Sequence, residues 1–92
     1  MPRDRLDTLC AALERTAERP LDRSANRWLG EAQAVATDLR NGDPDPAVLQ
    51  DRLGTLADLL DNVEATGDEQ ADAALDEALD ALVALRQELE DD

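Results

Sequence analysis

Leucine and alanine recur along this chain at spacings of three and four residues, which is the repeat of one face of an α-helix. Breaks in the repeat at residues 19–22, 41–46 and 66–68 divide the chain into four segments. Each break joins a Gly or Pro to an Asp that can cap the following helix. The pattern predicts helices over about residues 4–18, 22–40, 46–65 and 69–90.

The apolar stripes of these helices indicate which side chains face inward. They consist of Leu6, Leu9, Cys10, Leu13 and Ala17; of Leu21, Ala25, Trp28, Ala32, Val35 and Leu39; of Leu49, Leu53, Leu56, Leu60 and Val63; and of Ala71, Leu75, Ala78, Leu82, Leu85 and Leu89. Steps of four and three residues are typical of antiparallel helices that pack at about 20°. Connections of about three to six residues make sequential helices antiparallel neighbours. We predict an all-α single domain over residues 1–92, an up-down-up-down four-helix bundle of two antiparallel helical hairpins, with the third and fourth helices forming the longest hairpin.

Prolines and glycines refine the helix ends. We expect Asp45 to cap the third helix with Pro46 at its first position, where the missing N–H costs nothing. Gly42 should be the left-handed residue that ends the second helix. Gly30 and Gly54 interrupt predicted helices at a cost of roughly 1 kcal/mol each relative to Ala. They indicate either a close approach of another backbone or a tolerated surface glycine.

The composition describes the solvent for which the surface is suited. The chain has 23 acids against 9 bases, all of them Arg, and its net charge is −14. Repulsion within such a surface falls as the Debye length shrinks to about 3 Å at 1 M salt. Abundant Asp, no Lys and Arg as the sole base resemble the composition of haloarchaeal cytoplasmic proteins. Over its whole length the chain resembles short acidic all-helical haloarchaeal proteins of unknown function, which implies salt adaptation and no particular activity.

The residues needed for most catalytic and metal sites are missing. Histidine is absent, and Cys10 is the only cysteine, so we expect no catalytic residue, no metal and no cofactor. Carboxylates recur off the leucine stripes at Asp58, Asp61 and Glu64 and at Asp72, Asp76 and Asp80. We interpret both rows as solvated faces, and a small enzyme that uses buried carboxylates ranks third among the functional hypotheses. No apolar run reaches the roughly 18 residues of a membrane span and no signal peptide opens the chain, so we expect a cytoplasmic protein.

Charge is distributed unevenly along the chain. Residues 1–27 hold six Arg and five acids, a net of +1, and residues 28–92 hold three Arg and eighteen acids, a net of −15. The spacing by four brings one group toward the corner between the first two helices: Arg15, Arg19, Arg23 and Arg27, beside Trp28. One interpretation is a recognition patch for an acidic partner, since Arg and Trp are enriched at interface hot spots. The simpler interpretation places Trp28 in the core and pairs the Arg residues with acids of other helices.

These observations favour a non-enzymatic protein–protein interaction module. A thin core and the additional apolar residues Val48, Leu59, Leu79 and Val83 suggest association, either as a homodimer or with a protein partner that the sequence does not identify. The alternative is a regulator that binds nucleic acid or another anionic partner through the N-terminal Arg cluster. Nucleic acid is disfavoured because phosphate binding weakens steeply with salt.

Overall fold

The computed structural model describes residues 2–64 and 66–90 of the chain. They form four α-helices, which are α1 (Pro2–Ala17), α2 (Arg23–Gly42), α3 (Pro46–Asp61) and α4 (Glu69–Glu90). Within those two ranges there is no β-strand. The predicted all-α four-helix bundle is therefore confirmed.

The helices form a ring in which each one packs against two neighbours. α1 contacts α2 and α4, and α3 contacts the same two helices, while no contact crosses either diagonal in the described part of the chain. Ion pairs join Arg5 to Glu88 and Arg19 to Asp68, so α1 and α4 run in opposite directions. The bundle measures 38 × 20 × 18 Å.

The closest packing in the bundle joins its first and last helices. α1 packs most extensively against α4, and α3 packs least against α4, so the hairpin that the sequence predicts to be the longest is the loosest neighbouring pair. Ala74, Ala78 and Ala81 of α4 are buried. Small side chains at a helix contact shorten the distance between helix axes, which explains the preference for the alanine-rich side of α4.

The side chains at the centre of the bundle are mostly leucines. The largest fully buried apolar residues are Leu9, Leu13, Leu53, Leu56 and Leu85. All five belong to the predicted stripes. A second set of apolar residues is half-buried and packs around this core: Leu21, Val35, Leu49, Ala57, Leu59, Val63, Leu79 and Leu89.

The predicted inward face of α2 is correct at Ala25, Ala32 and Leu39, which are buried, and wrong at Trp28 and Val35. Trp28 and Val35 are only half-buried, whereas Leu29 is buried and Ala36 has no exposed surface. The predicted and the observed stripes both follow steps of four and three residues, so the spacing alone does not choose between neighbouring positions. The compact side chains of Leu29 and Ala36 fit the interior, and the larger indole of Trp28 lies at its margin.

The end of the α1 stripe also differs from the prediction. Ala17 is exposed, and Thr16 is buried in its place. The Thr16 hydroxyl donates a hydrogen bond to the carbonyl of Leu13 at 2.6 Å. A hydroxyl that has its own partner is inexpensive to bury, which is why the polar residue can replace the apolar one.

Two of the predicted helix ends require correction. Asp45 caps α3 as predicted, and its carboxylate accepts a hydrogen bond from the Val48 amide at 3.0 Å. At the end of α2 the left-handed residue is Asp43, at φ 48°, while Gly42 is the last helical residue; Asp is among the few non-glycine residues that adopt this region. α3 ends at Asp61, four residues before the predicted boundary.

The glycines within helices are not required by close packing. A Cβ added at Gly30 or Gly54 would meet nothing within 4 Å, so the close-approach interpretation is wrong and the tolerated-glycine interpretation stands. Gly67 is different because its φ is +84° and an added Cβ would lie 2.7 Å from Asp22 Oδ1. The connection between α3 and α4 therefore requires glycine at this position.

We predict opposite effects of alanine at Gly54 and at Gly67. Gly54→Ala should raise the free energy of unfolding by about 0.5–1 kcal/mol, since glycine weakens a helix interior. Gly67→Ala should lower it by about 1–3 kcal/mol, because a side chain is strained at positive φ and would displace Asp22. Urea unfolding followed by circular dichroism measures both changes, and equal effects of the two substitutions would contradict the assignment.

Candidate functional site

The first two arginines of the predicted cluster are engaged by an acid of α4 and by the acid that precedes this helix. Arg15 forms an ion pair with Glu77, and Arg19 forms one with Asp68. Arg5 continues the series with Glu88 at 3.3 Å. The three pairs lie along the α1–α4 contact, so this part of the cluster neutralises the most acidic helix. Exposed pairs of this kind contribute little individually.

The pair between Arg19 and Asp68 has the most favourable geometry of the series. Arg19 Nε and Nη2 donate to the two oxygens of Asp68 at 2.9 and 3.0 Å. Asp68 also caps α4 by accepting a hydrogen bond from the Ala71 amide at 2.9 Å. Hydrogen bonds from Arg19, followed by that from Ala71, hold the pKa of Asp68 below its usual value, and the same carboxylate raises the pKa of Arg19.

A buried threonine extends this contact to both connections at one end of the bundle. Thr66 has no exposed surface, and its hydroxyl donates to Asp72 Oδ1 at 2.7 Å. Its carbonyl accepts a hydrogen bond from the Asp22 amide, in the connection between α1 and α2, at 2.9 Å. We call Arg19, Asp22, Thr66, Asp68 and Asp72 the loop clamp, since together they join the α1–α2 connection to the α3–α4 connection.

The sequence interpretation missed two members of the loop clamp. Asp72 was assigned to a solvated row, and Thr66 was treated only as part of a helix break. The available signal was the cluster of threonine and aspartates around Gly67, because such side chains commonly bond to nearby backbone groups. Nothing in the spacing indicated that the other connection would supply the Asp22 amide.

The other two arginines of the predicted cluster lie on the first turns of α2 and are open, which here means that they have no acidic partner within the described ranges. Arg23 and Arg27 are exposed, and neither forms an ion pair with another residue in the described ranges. The guanidinium carbon of Arg27 is 5.2 Å from the centroid of the Trp28 ring, within the range of a cation–π contact. The five candidate residues therefore divide into a paired set, Arg15 and Arg19, and an open set, Arg23, Arg27 and Trp28.

The remaining titratable groups form no evident reaction centre. Both rows of acids are exposed, and within residues 2–64 and 66–90 no group of three or more His, Cys, Asp or Glu is placed to hold a metal ion. Cys10 is buried, and its thiol donates to the carbonyl of Ala36 at 3.3 Å. Burial raises the pKa of this thiol, which makes it a poor nucleophile.

Two grooves on the bundle surface contain the apolar residues that the core does not cover. The α3–α4 groove is lined by Ala57, Leu60, Val63, Leu79, Leu82 and Val83, with Asp61 and Arg86 as its charged residues. The α2–α3 groove is lined by Val35, Leu39, Gly42, Pro44 and Val48, with Asp38 and Arg52. Val83 is 54% exposed and Val48 is 46% exposed. The four additional apolar residues predicted to reach a partner therefore do not form one patch.

We predict that Arg19→Ala lowers the melting temperature more than Arg23→Ala, because only Arg19 has a bidentate partner. The lowered pKa of Asp68 means that its contribution to stability is present above its unfolded pKa of about 3.9. That contribution is lost as the pH falls through the folded pKa. The difference between wild type and Arg19→Ala should therefore be full near pH 7 and shrink in acid. Circular dichroism melts from pH 7 to pH 2 test this, and a difference independent of pH would contradict it.

Comparison with known proteins identifies the family to which the chain belongs, but it identifies no activity. No helix in the described part of the chain is both long and apolar enough to cross a membrane. Searches of curated proteins and of solved structures find no match. The model of the family DUF8152, a domain of unknown function, matches residues 5–92. The chain therefore belongs to the DUF8152 family.

Proposed function

We propose that the chain is a non-enzymatic protein–protein interaction module, adapted to a salt-rich cytoplasm, whose contact surface is the α3–α4 groove. The observation that carries this proposal is the exposure of Val83, at 54%, beside the half-buried Leu79 and Val63. Burying such side chains against a partner is favourable by about 25 cal/mol per Å² of apolar surface.

The charge around the groove supports the same proposal. The chain carries a net charge of −14, yet the α3–α4 groove contains one acid, Asp61, and one base, Arg86. A partner can approach this part of the surface with little electrostatic repulsion. Charged residues are depleted at the centres of protein interfaces, so a groove with one acid and one base in its lining is suited to contact.

The shape of the groove favours a protein surface over a small molecule. Its volume is about 260 Å³, below the roughly 300–1,000 Å³ of ligand pockets. Asp61 and Arg86 are the two charged residues of its walls, and the other lining side chains are aliphatic. A small-molecule site normally adds several convergent polar groups that fix orientation.

The proposal that the module is not an enzyme rests on its chemistry. Histidine is absent from the sequence, and the thiol of Cys10 is buried with a raised pKa. The best-positioned carboxylates, Asp68 and Asp72, hold the loop clamp together. Using either as a general base would require breaking the hydrogen bonds that fix the end of the bundle.

A position-specific cross-linking experiment tests the proposed surface. A benzophenone maleimide attached to Val83→Cys should yield cross-linked protein adducts in an extract of the source cells at native salt. The buried thiol of Cys10 should remain unlabelled, so the full chain needs no further change. Mass spectrometry of the adducts identifies whether the second protein is another copy or a different chain.

Ala73→Cys is the matched control for this experiment. Ala73 is exposed on α4 in a groove beside α1, with Arg15 and Glu77 among its neighbours. The adduct yield at Val83→Cys should exceed the yield at Ala73→Cys several-fold. Equal yields at the two positions, or no adduct at Val83→Cys, would reject the α3–α4 groove as a contact surface.

A second candidate function is the binding of an anionic partner at Arg23, Arg27 and Trp28. The favouring observation is that both arginines are open while Arg15 and Arg19 are paired. The Arg27 guanidinium beside the half-buried indole of Trp28 provides charge and apolar contact together. This candidate ranks below the first because only half of the predicted arginine cluster is free for a ligand.

Tryptophan fluorescence tests the second candidate directly, since Trp28 is the only tryptophan. DNA, RNA and polyglutamate are titrated separately over a range of KCl concentrations. A binding site at Arg27 predicts a saturable change in emission that weakens with salt. Arg23→Ala/Arg27→Ala should abolish the change, while Arg52→Ala, an exposed arginine of another groove, should not. An unchanged emission in the wild type would dismiss this candidate.

A further inference from the structure

We propose that the occupant of the α3–α4 groove is a basic amphipathic helix of another protein, whose apolar face lies on the groove and whose Lys or Arg residues contact acids along its edges. The inference rests on the proposed function, because it names the class of partner that the same surface takes. It is carried by the acids around the groove, which form no ion pair within the described part of the chain.

The groove continues past Arg86 into a second depression toward the start of α3. Ala47, Gln50, Asp51 and Glu90 line that depression together with Arg86. Counted with the charged residues of the α3–α4 groove itself, the combined lining holds three acids and one base, a net charge of −2. The aliphatic part of the groove thus lies within a negatively charged surround.

The other two grooves described above carry balanced charge. The α2–α3 groove has one acid and one base in its lining, and the groove between α1 and α4 has two of each. The negative charge of the α3–α4 side is therefore not a property that every groove takes from the net charge of −14. Since the potentials of partners at an interface are complementary, this side favours a positively charged partner.

Further acids extend the negative charge along both edges of the groove. On α4, Asp76 and Asp80 are exposed, and each lies three residues before an apolar residue of the groove. Residues three apart are neighbours on the surface of a helix. On α3, the exposed Asp58 lies three residues before Asp61. A helix lying on the groove therefore meets carboxylates on both sides of its apolar face.

The two sides of α4 differ in whether their acids are paired. On the side facing α1, Glu77 and Glu88 form ion pairs with Arg15 and Arg5. The acids beside the α3–α4 groove form no ion pair with any residue in the ranges 2–64 and 66–90. α1 joins α4 by an apolar face with arginines beside it. It thus shows, within the same molecule, the chemistry of a helix that fits the acids of α4.

The walls of the groove favour a helical segment as its occupant. Both walls are α-helices that present aliphatic side chains to the groove. An extended peptide binds by adding hydrogen bonds to the edge of a sheet, and the described residues include no β-strand. An amphipathic helix instead lays apolar residues spaced by three and four into such a groove. The partner therefore needs an apolar stripe at that spacing, flanked by Lys or Arg.

Binding of a designed peptide tests this chemistry. The probe is a fluorescein-labelled helical peptide with leucine on one face and arginine on both sides of it, and the control peptide carries glutamate in place of arginine. Fluorescence anisotropy is measured at KCl concentrations at which circular dichroism shows the chain to be folded. The arginine peptide should bind saturably and about tenfold or more tightly than the glutamate peptide. Equal affinities, or no binding of the arginine peptide, would overturn the inference.

Charge reversal on the chain locates the peptide. Asp76→Arg/Asp80→Arg should bind the arginine peptide about tenfold more weakly than wild type, because it places like charges along one edge of the groove. Glu31→Arg/Asp38→Arg makes the same change in net charge at exposed positions of α2 and should bind like wild type. Circular dichroism confirms that both variants remain helical. Equal losses in the two variants would show attraction to net charge alone and would overturn the assigned site.

Cross-linking at Val83→Cys separates the failure of this inference from the failure of the proposed function. Mass spectrometry identifies the segment of the partner that carries the cross-link, and we expect Lys or Arg on both sides of an apolar stripe in that segment. A segment without Lys or Arg, or a second copy of this chain, would overturn the inference and leave the interaction module standing. If Val83→Cys cross-links to nothing, both proposals fail.

Discussion

The apolar seam between the helices is made from very few residue types. The buried apolar residues are leucines, alanines and Cys10, and full burial of each leucine contributes about 1.5–3 kcal/mol before the entropy of ordering is subtracted. Alanine adds less burial but lets helices approach closely, and α1 and α4 form the tightest pair for that reason. The leucines between α3 and α4 leave a groove open to solvent. Both the stability of the fold and its uncovered surface thus follow from how leucine and alanine are divided among the four contacts.

Local sequence signals predicted the helices better than they predicted which faces are buried. Asp45 and Pro46 act through hydrogen bonds and backbone angles within one turn, and the start of α3 was therefore correct. The inward face of α2 depends on how four helices fill a shared interior, so Leu29 replaced Trp28 there. The early end of α3 depends on the long connection that brings Thr66 to Asp22. Contacts between distant segments of this kind leave no periodic trace in the sequence.

The candidate site shows the same division between local and distant information. Spacing by four grouped the arginines of the first two helices, but it did not predict that Glu77 and Asp68 would engage Arg15 and Arg19. The three-dimensional pairing depends on α1 lying beside the acidic α4. The α3–α4 groove was anticipated only through Leu79 and Val83. Its opposite wall, formed by Ala57, Leu60 and Val63, became evident only in the three-dimensional structure.

The loop clamp fastens one end of the bundle and leaves the other end without an equivalent. At the fastened end a buried threonine, an N-cap and a bidentate arginine hold two connections together. At the opposite end, in the described part of the chain, the α2–α3 connection and the single hydrogen bond of the Arg5–Glu88 ion pair join the helices. Opening fluctuations should therefore be directional, with backbone amides near that connection exchanging with solvent before those near Thr66. Such opening would separate the helix ends near the α2–α3 connection while the loop clamp keeps the other end closed.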